Sequence, residues 1–464
     1  MAISTGGKCP WSATRVRVSL LVLATASLLS LPLGRVARAD DRCGRELQTN
    51  VCLDANPVCP AAQPPFGINA GSWPVFQGNV QHTGVSPFRG PTCGNQIWSQ
   101  KLLGGLVAAP ALAPGNPGEP ETLFVPVGKA PLCALNPVDG SVYWCETDDQ
   151  GKLADRSSPV IGNGNFAYIG TRDNDLWAID VPPAGSSSAT VAWRQKICTD
   201  GDITAPPIMS SNGLVYMGSD SLGAGTLMAM CPGPTRQPKW CIKPVGGGIR
   251  NASPALSPAG DVLYVLFGGG SVLALDAQSG DERWRIQLEP PRSIGRIPNH
   301  APVVNPITGR IYVGLARGLW AVDPPSSPGA DPVKTLLFNT REEAGQHLET
   351  PPAVDAEHGS IVVGATNGLH STLYALAMDG TLQWQRDDLG IGRFRSNNPP
   401  VVDASGRIYL TLGQSLIALQ QDGSDLWRNE YGNQFDSSPI LADGRLYVGT
   451  NQGTVYAIGD CPSS

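Results

Sequence analysis

Apolar residues recur along this chain in short runs, β-branched or aromatic, separated by breaks built from Gly, Pro, Asp and Ser. Eight times such a run is opened by a small residue or a proline followed by a proline: Ala109-Pro110, Ser158-Pro159, Ala205-Pro206, Ser253-Pro254, Ala301-Pro302, Pro351-Pro352, Pro399-Pro400 and Ser438-Pro439. Successive marked prolines lie 49, 47, 48, 48, 50, 48 and 39 residues apart. The fourth repeat shows the unit. Ser253-Pro254-Ala255-Leu256 opens an inner strand, Val262 to Val265 a second, Ser271 to Asp276 a third and Asp281 to Trp284 a fourth, with Ser279-Gly280 turning between the last two. Runs this short, bounded by turn residues, are strands and not helices. A 40–50-residue period with four strands per unit is the pattern of a propeller blade. The chain is therefore predicted to be all-β, a single eight-bladed β-propeller of four-stranded antiparallel blades over residues 72–464, preceded by a Cys-containing extension at 40–71.

Tryptophans mark the outer strands: Trp98, Trp144, Trp193, Trp240, Trp284, Trp384 and Trp427, with Phe338 standing in for the fifth repeat, whose outer region from Pro324 to Glu349 reads as longer and irregular. A tryptophan there can pack against the next blade, where it is expected to meet the glycines of the preceding unit. Trp98 comes before the first inner strand, whereas the eighth repeat ends at Val455-Tyr456-Ala457-Ile458 without a Trp. The N-terminal strand Gln96-Ile97-Trp98 is thus predicted to close the ring as the fourth strand of the last blade, which removes a raw sheet edge.

Ala274-Leu275-Asp276-Ala277-Gln278-Ser279-Gly280-Asp281-Glu282-Arg283-Trp284 resembles the tryptophan-docking motif of the pyrroloquinoline-quinone (PQQ) repeat superfamily, Ala-x-Asp-x-x-Ser/Thr-Gly-x-x-x-Trp. Ala134 to Trp144 keeps the spacing; Ala375 to Trp384 and Ala418 to Trp427 are one residue shorter. Trp73-Pro74-Val75-Phe76 followed by Thr83-Gly84 is similar to the lead-in of bacterial members. The resemblance spans roughly residues 72 to 460 and implies the fold; activity lives in sites grafted on it. The dehydrogenases of the superfamily hold the quinone on the ring axis with Ca²⁺, use an Asp base, and press a disulfide of adjacent cysteines against the quinone. This chain has no Cys-Cys dipeptide and lacks their long insertions. The resemblance therefore implies a non-enzymatic bacterial member, a binding or scaffold module with no cofactor, similar in fold to the propeller lipoprotein that assists outer-membrane β-barrel assembly. The alternative is a PQQ/Ca-dependent oxidoreductase with an atypical site.

Composition changes the picture chiefly at the N-terminus. Lys8, Arg15 and Arg17 precede an apolar run from Val18 to Leu33, and Ala37-Arg38-Ala39 follows as a small-x-small cleavage site, the pattern of a secretory signal peptide at 1–39. The run is shorter than the roughly 20 residues that span a bilayer, so no transmembrane segment is expected in the mature chain. Its removal lowers Lys+Arg from 33 to 28 against 39 Asp+Glu, a net charge of −11, which disfavours nucleic acid as a partner. The predicted location is periplasmic or secreted, as a monomer, with a protein or a small anionic ligand as partner.

Of 11 cysteines only Cys9 falls in the leader, and an even ten in an oxidising compartment reads as a disulfide set. Cys133–Cys145 and Cys231–Cys241 each straddle the turn between third and fourth strands, and Cys93–Cys461 would tie the two ends of the ring. A loop that long gains about 4 to 5 kcal/mol or slightly more in the chain-entropy model. Cys43, Cys52, Cys59 and Cys198 carry no pairing signal. Spacings of 9 and 7 residues among the first three do not suit zinc, and Cys43 follows Ala-Asp-Asp-Arg and not a lipobox.

The chemistry is sparse. His82, His300, His347, His358 and His370 show no metal-binding spacing, no nucleophile elbow or phosphate loop is present, and no metal site is predicted. Asp276 and Asp139 sit where a hairpin turn needs a cap, and Gly268-Gly269-Gly270 reads as a tight turn. What remains is the mouth of the axial channel, where the links entering the inner strands and those between second and third strands converge. The first set brings Arg156, Asp202, Arg250, Asn251, His300, His347, Glu349, Arg393, Arg395, Asn398 and Asp436, and the second adds Arg172, Asp173 and Arg317. A basic mouth on an acidic body would focus an anionic group toward the axis, with Arg supplying forked donors. Arg156, Arg172, Arg250, Asn251, His300, His347, Arg393 and Arg395 are the candidate contacts; no catalytic residue is assigned.

Overall fold

A computed structural model of the chain describes residue 59 and residues 72–462, apart from 106–107, 115–117, 147–156, 163–164, 172–174, 197–202, 204, 220–224, 234–236, 243–248, 250–251, 268–269, 291–299, 328, 369, 391 and 396–397. The leader and most of the 40–71 extension lie outside the described residues. Each of the eight predicted openings leads into the innermost strand of its own sheet, from Ala111–Pro114 in blade 1 to Ile440–Ala442 in blade 8. Seven sheets have four strands and the sixth has five. All are antiparallel. Second and third strands, such as Phe166–Gly170 and Thr226–Met230, are buried along their whole length because blades face blades on both sides; outer strands such as Asn95–Lys101 keep exposed positions. That arrangement accounts for continuous apolar runs in the middle of each repeat and mixed ones at its end.

Ring closure follows the sequence reading. Asn95–Lys101 pairs antiparallel with Thr454–Gly459, and Trp98 faces Ala457. In six further blades the outer tryptophan likewise faces the third-strand alanine: Trp144 on Ala134, Trp193 on Ala178, Trp240 on Ala229, Trp284 on Ala274, Trp384 on Ala375 and Trp427 on Ala418. The alanine leaves room for the indole to lie over the sheet. Trp98, Trp193, Trp240, Trp284 and Trp427 each stack on a second-strand tyrosine of their own blade at 5.7 to 6.1 Å.

These rings pack against the next blade as expected, but the glycines they meet belong to that blade and not to the preceding unit. Trp98 Nε1 donates to Pro137 O, Trp193 to Gly233 O, Trp240 to Ala277 O, Trp384 to Gln421 O and Trp427 to Pro91 O, in each case a carbonyl of the following blade. A Cβ on Gly140, Gly280, Gly423 or Gly94 would come within 2.6–2.8 Å of the ring docked there. The outer strand leans forward round the ring onto the next blade's last turn, so it is that turn which must lack a side chain.

The fifth repeat departs from the pattern. Its outer strand, Val333–Phe338, puts Thr335 opposite Ala321, and Phe338 stacks 5.1 Å from Tyr374 of blade 6. The residues after it are not irregular: a one-turn helix, Thr340–Ala344, is capped by Asn339, and His347–Leu348 joins blade 6 as its fifth strand.

Cys133–Cys145 and Cys93–Cys461 are bonded. The Cys231–Cys241 pairing is not formed, because Cys231 bonds Cys59. Cys133 sits one residue before the alanine that faces the outer tryptophan and so faces Cys145 directly; in blade 3 Met228 holds that place and faces Cys241, while Cys231 lies two residues past Ala229, beyond the end of the ladder. Cys241 is also disulfide-bonded, to a partner outside the described residues.

Residues 72–90 do more than lead in to the ring. The second residue after the marked proline donates its backbone N–H to this segment in blade after blade: Leu112 to Trp73 O, Ile161 to Pro74 O, Leu256 to Val80 O, Val304 to Gln81 O, Val354 to Thr83 O and Val402 to Gly84 O. In blade 8 the Ser86 hydroxyl donates to Leu441 O, and beside blade 3 Val75 joins the core that holds Ile208 and Met209. A segment bonded in turn to the inner strands of seven blades must cross the space they enclose. It satisfies inner-edge donors that would otherwise face the axis unpaired, and it buries Trp73, Phe76, Gln77, His82 and Ser86.

Candidate functional site

The floor of the mouth is set by that segment. Gln77 Nε2 donates to Pro352 O at 3.1 Å, and His82 Nε2 lies 2.8 Å from Pro254 O, so its side chains reach the marked prolines themselves. The other ring nitrogen of His82 lies 3.0 Å from Phe76 O, and full burial pushes its pKa down. Sequence reasoning passed over His82 as one of several scattered histidines. The available signal was an accounting one: eight inner edges need partners for their donors, and a Gly-punctuated stretch just before the ring is placed to provide them.

Arg156, Arg172, Arg250 and Asn251 lie outside the described residues, as do Asp202 and Asp173. The other candidates fall round blades 5 to 8, mostly in pairs. His300 is buried; its Nδ1 lies 3.0 Å from Gly314 O, and burial pushes its pKa down to about 4 despite the charge and backbone of Glu349 nearby. A Cβ on Gly314 would lie 2.9 Å from that Nδ1, so the glycine admits the ring. His347 Nε2 lies 2.6 Å from Glu349 Oε1. Arg395 pairs with Asp436 at 3.2 Å. Asn398 is buried and donates to Thr411 Oγ1 and Phe435 O. Arg393 and Arg317 are exposed. Among the described residues the mouth thus carries two matched pairs, His347 with Glu349 and Arg395 with Asp436, beside the exposed Arg317 and Arg393. Asp276 and Asp139 cap their turns by accepting backbone N–H bonds from Gln278 and Ser279, and from Ser141.

The quinone and Ca²⁺ implied by the resemblance can be tested against these residues. Gln77 and His82 occupy the axis at the level of the prolines. The described carboxylates of the mouth, Glu349 and Asp436, are engaged by His347 and Arg395, and no three hard ligands converge among the described residues. These residues do not fit that pair of groups, and no step is derived through them.

Sequence comparison matches residues 90–247, 184–377 and 369–460 to a family described as "Outer membrane protein assembly factor BamB". A protein of that name from Burkholderia pseudomallei is 22% identical over 319 residues, covering 65% of this chain and 74% of its own. Among solved structures, quinohemoprotein alcohol dehydrogenase from Comamonas testosteroni superimposes with a TM-score of 0.64 at 15% identity, covering 85% of this chain and 82% of its own. BamB from Moraxella catarrhalis gives 0.55 at 16% identity, over 80% of this chain and 98% of its own. At such identities the structural likeness is one of fold, shared by an oxidoreductase and an assembly factor alike.

Proposed function

Because the chain belongs to the family described as outer membrane protein assembly factor BamB, within the PQQ-like repeat propellers, we propose that it is an exported, non-catalytic scaffold that binds a protein partner in the periplasm or at the cell surface. The observation that carries this reading is the filled axis. With residues 72–90 bonded across the inner strands, the chain's own segment takes up the space a ligand on the axis would need, and exposed loop residues such as Arg317 and Arg393 are left for a protein partner to meet. Deep, largely enclosed pockets suit small substrates instead. The protein works as a monomer carrying neither quinone nor metal.

The test is photo-crosslinking in the native host, with a photoreactive residue placed at Arg317 or Arg393 on the rim and, as control, at Leu382 on the outer wall. Rim positions should capture one discrete protein that the wall position does not. Equal capture at both, or PQQ- and Ca²⁺-dependent dye reduction by the purified chain at about 1 turnover per second, would refute the reading.

A further inference from the structure

Away from the axis, where the helix–strand insertion of blade 5 lies against blade 6, the surface opens into a hollow of about 350 Å³ that the mouth residues do not share. Its floor is a closed polar network. Gln346 Nε2 donates to Thr372 Oγ1 at 2.9 Å, the Tyr374 hydroxyl donates to Gln346 Oε1 at 3.1 Å, and all three side chains are at least nine-tenths buried. The floor is therefore held before any ligand arrives. Around it stand His370, Gln385 and Asp387, whose side chains make no hydrogen bond or ion pair among the described residues.

We propose that this hollow binds a neutral saccharide unit. Its size lies at the low end of the roughly 300–1,000 Å³ of small-molecule sites. The lining carries no Lys or Arg to balance an anion, and Ala344 is its one aliphatic side chain, so neither phosphates nor lipids are matched. What it presents above that floor is a mixture of acceptors and donors: the Asp387 carboxylate, the Gln385 amide and the His370 imidazole. A ring bearing several hydroxyls, each both donor and acceptor, satisfies such a set, whereas a ligand with donors alone leaves the amide N–H groups unused. Asp387 would take the leading bond, since hydrogen bonds to an ionised group are about twice as strong as neutral ones.

The proposal uses residues distinct from the rim, so it can fail while the scaffold reading stands, and the reverse. The experiment is saturation-transfer NMR on the intact mature protein, with glucose, N-acetylglucosamine and their β-1,4-linked dimers as probes and ethanolamine as the cationic comparison. Transfer to at least one sugar is expected, and Asp387→Asn combined with Gln385→Ala should weaken it by about tenfold or more. Both positions are exposed, Gln385 on the outer strand Leu382–Arg386 and Asp387 just past its end, and circular dichroism checks that the variant folds. Absence of transfer to every sugar, transfer that the double substitution leaves unchanged, or preference for ethanolamine would overturn it.

Discussion

Two glycines allow the tryptophan docking contact to be weighed by itself. Gly280 and Gly309 occupy equivalent turns: each donates its N–H to the residue four before it, Asp276 or Asn305, and in each turn that residue's side chain accepts from the two N–H groups that precede the closing residues. Their φ angles are +74° and +73°. Replacing either with alanine imposes the same left-handed penalty, about 1 kcal/mol. They differ in what the new methyl meets. At Gly309 nothing lies within 4 Å, whereas at Gly280 the Trp240 ring is 2.8 Å away, buried and tied by its Nε1 to Ala277 O. Overpacking of that kind costs about 1–3 kcal/mol. Gly309→Ala should therefore lose about 1 kcal/mol and Gly280→Ala about 2–4 kcal/mol, measured by guanidinium unfolding followed by tryptophan fluorescence. Equal losses for the two would refute the claim that the docked indole is what excludes a side chain there.

Two further outcomes follow from the same structure. Replacing both Cys93 and Cys461 with serine opens a link between residues 368 apart, worth about 6 kcal/mol in the chain-entropy relation; strand pairing and the axial segment also hold the ends, so a loss of at least about 3 kcal/mol is expected in denaturant titration, and one under about 1 kcal/mol would contradict it. His300 stays neutral in the folded chain down to about pH 4 but protonates near its ordinary 6.5 when unfolded, so its contribution is fully present above pH 6.5 and is lost as pH falls toward 4, by about 3 kcal/mol. His300→Gln should flatten that part of the stability–pH profile; an unchanged slope would show that the buried ring does not titrate as described.

The architecture was legible because each blade repeats one solution to one packing problem. Pro254, Ala274, Gly280 and Trp284 recur at fixed intervals, and even the borrowed strand at Trp98 could be found by counting aromatics. What escaped was set by non-local geometry. Which unit supplies the glycine under a docked ring, Gly280 beneath Trp240, depends on how blades tilt in the assembled ring. Cys231 sits in the right stretch for a cross-hairpin bond, but the register that sets Ala229 opposite Trp240 places Met228, not Cys231, opposite Cys241. The axial segment has no alternation to betray it, since its partners are backbone groups hundreds of residues away. The mouth residues were grouped from topology alone, and the pairings among the described ones, Arg395 with Asp436 and His347 with Glu349, needed coordinates.

The thread through the axis also imposes a timetable. Residues 72–101 leave the ribosome ahead of every blade, yet Trp73 waits for blade 1, Val80 for blade 4, Gly84 for blade 7, and Trp98 for a strand that ends at Gly459. The first stretch made is thus the last to be fully housed. Until then the eighth sheet lacks its outer strand and the inner edges lack their axial partner, and contacts so distant along the chain form slowly and leave edges open to other molecules. A truncation near the C-terminus therefore unsettles the N-terminus as well, and a stalled molecule fails as a whole ring and not blade by blade.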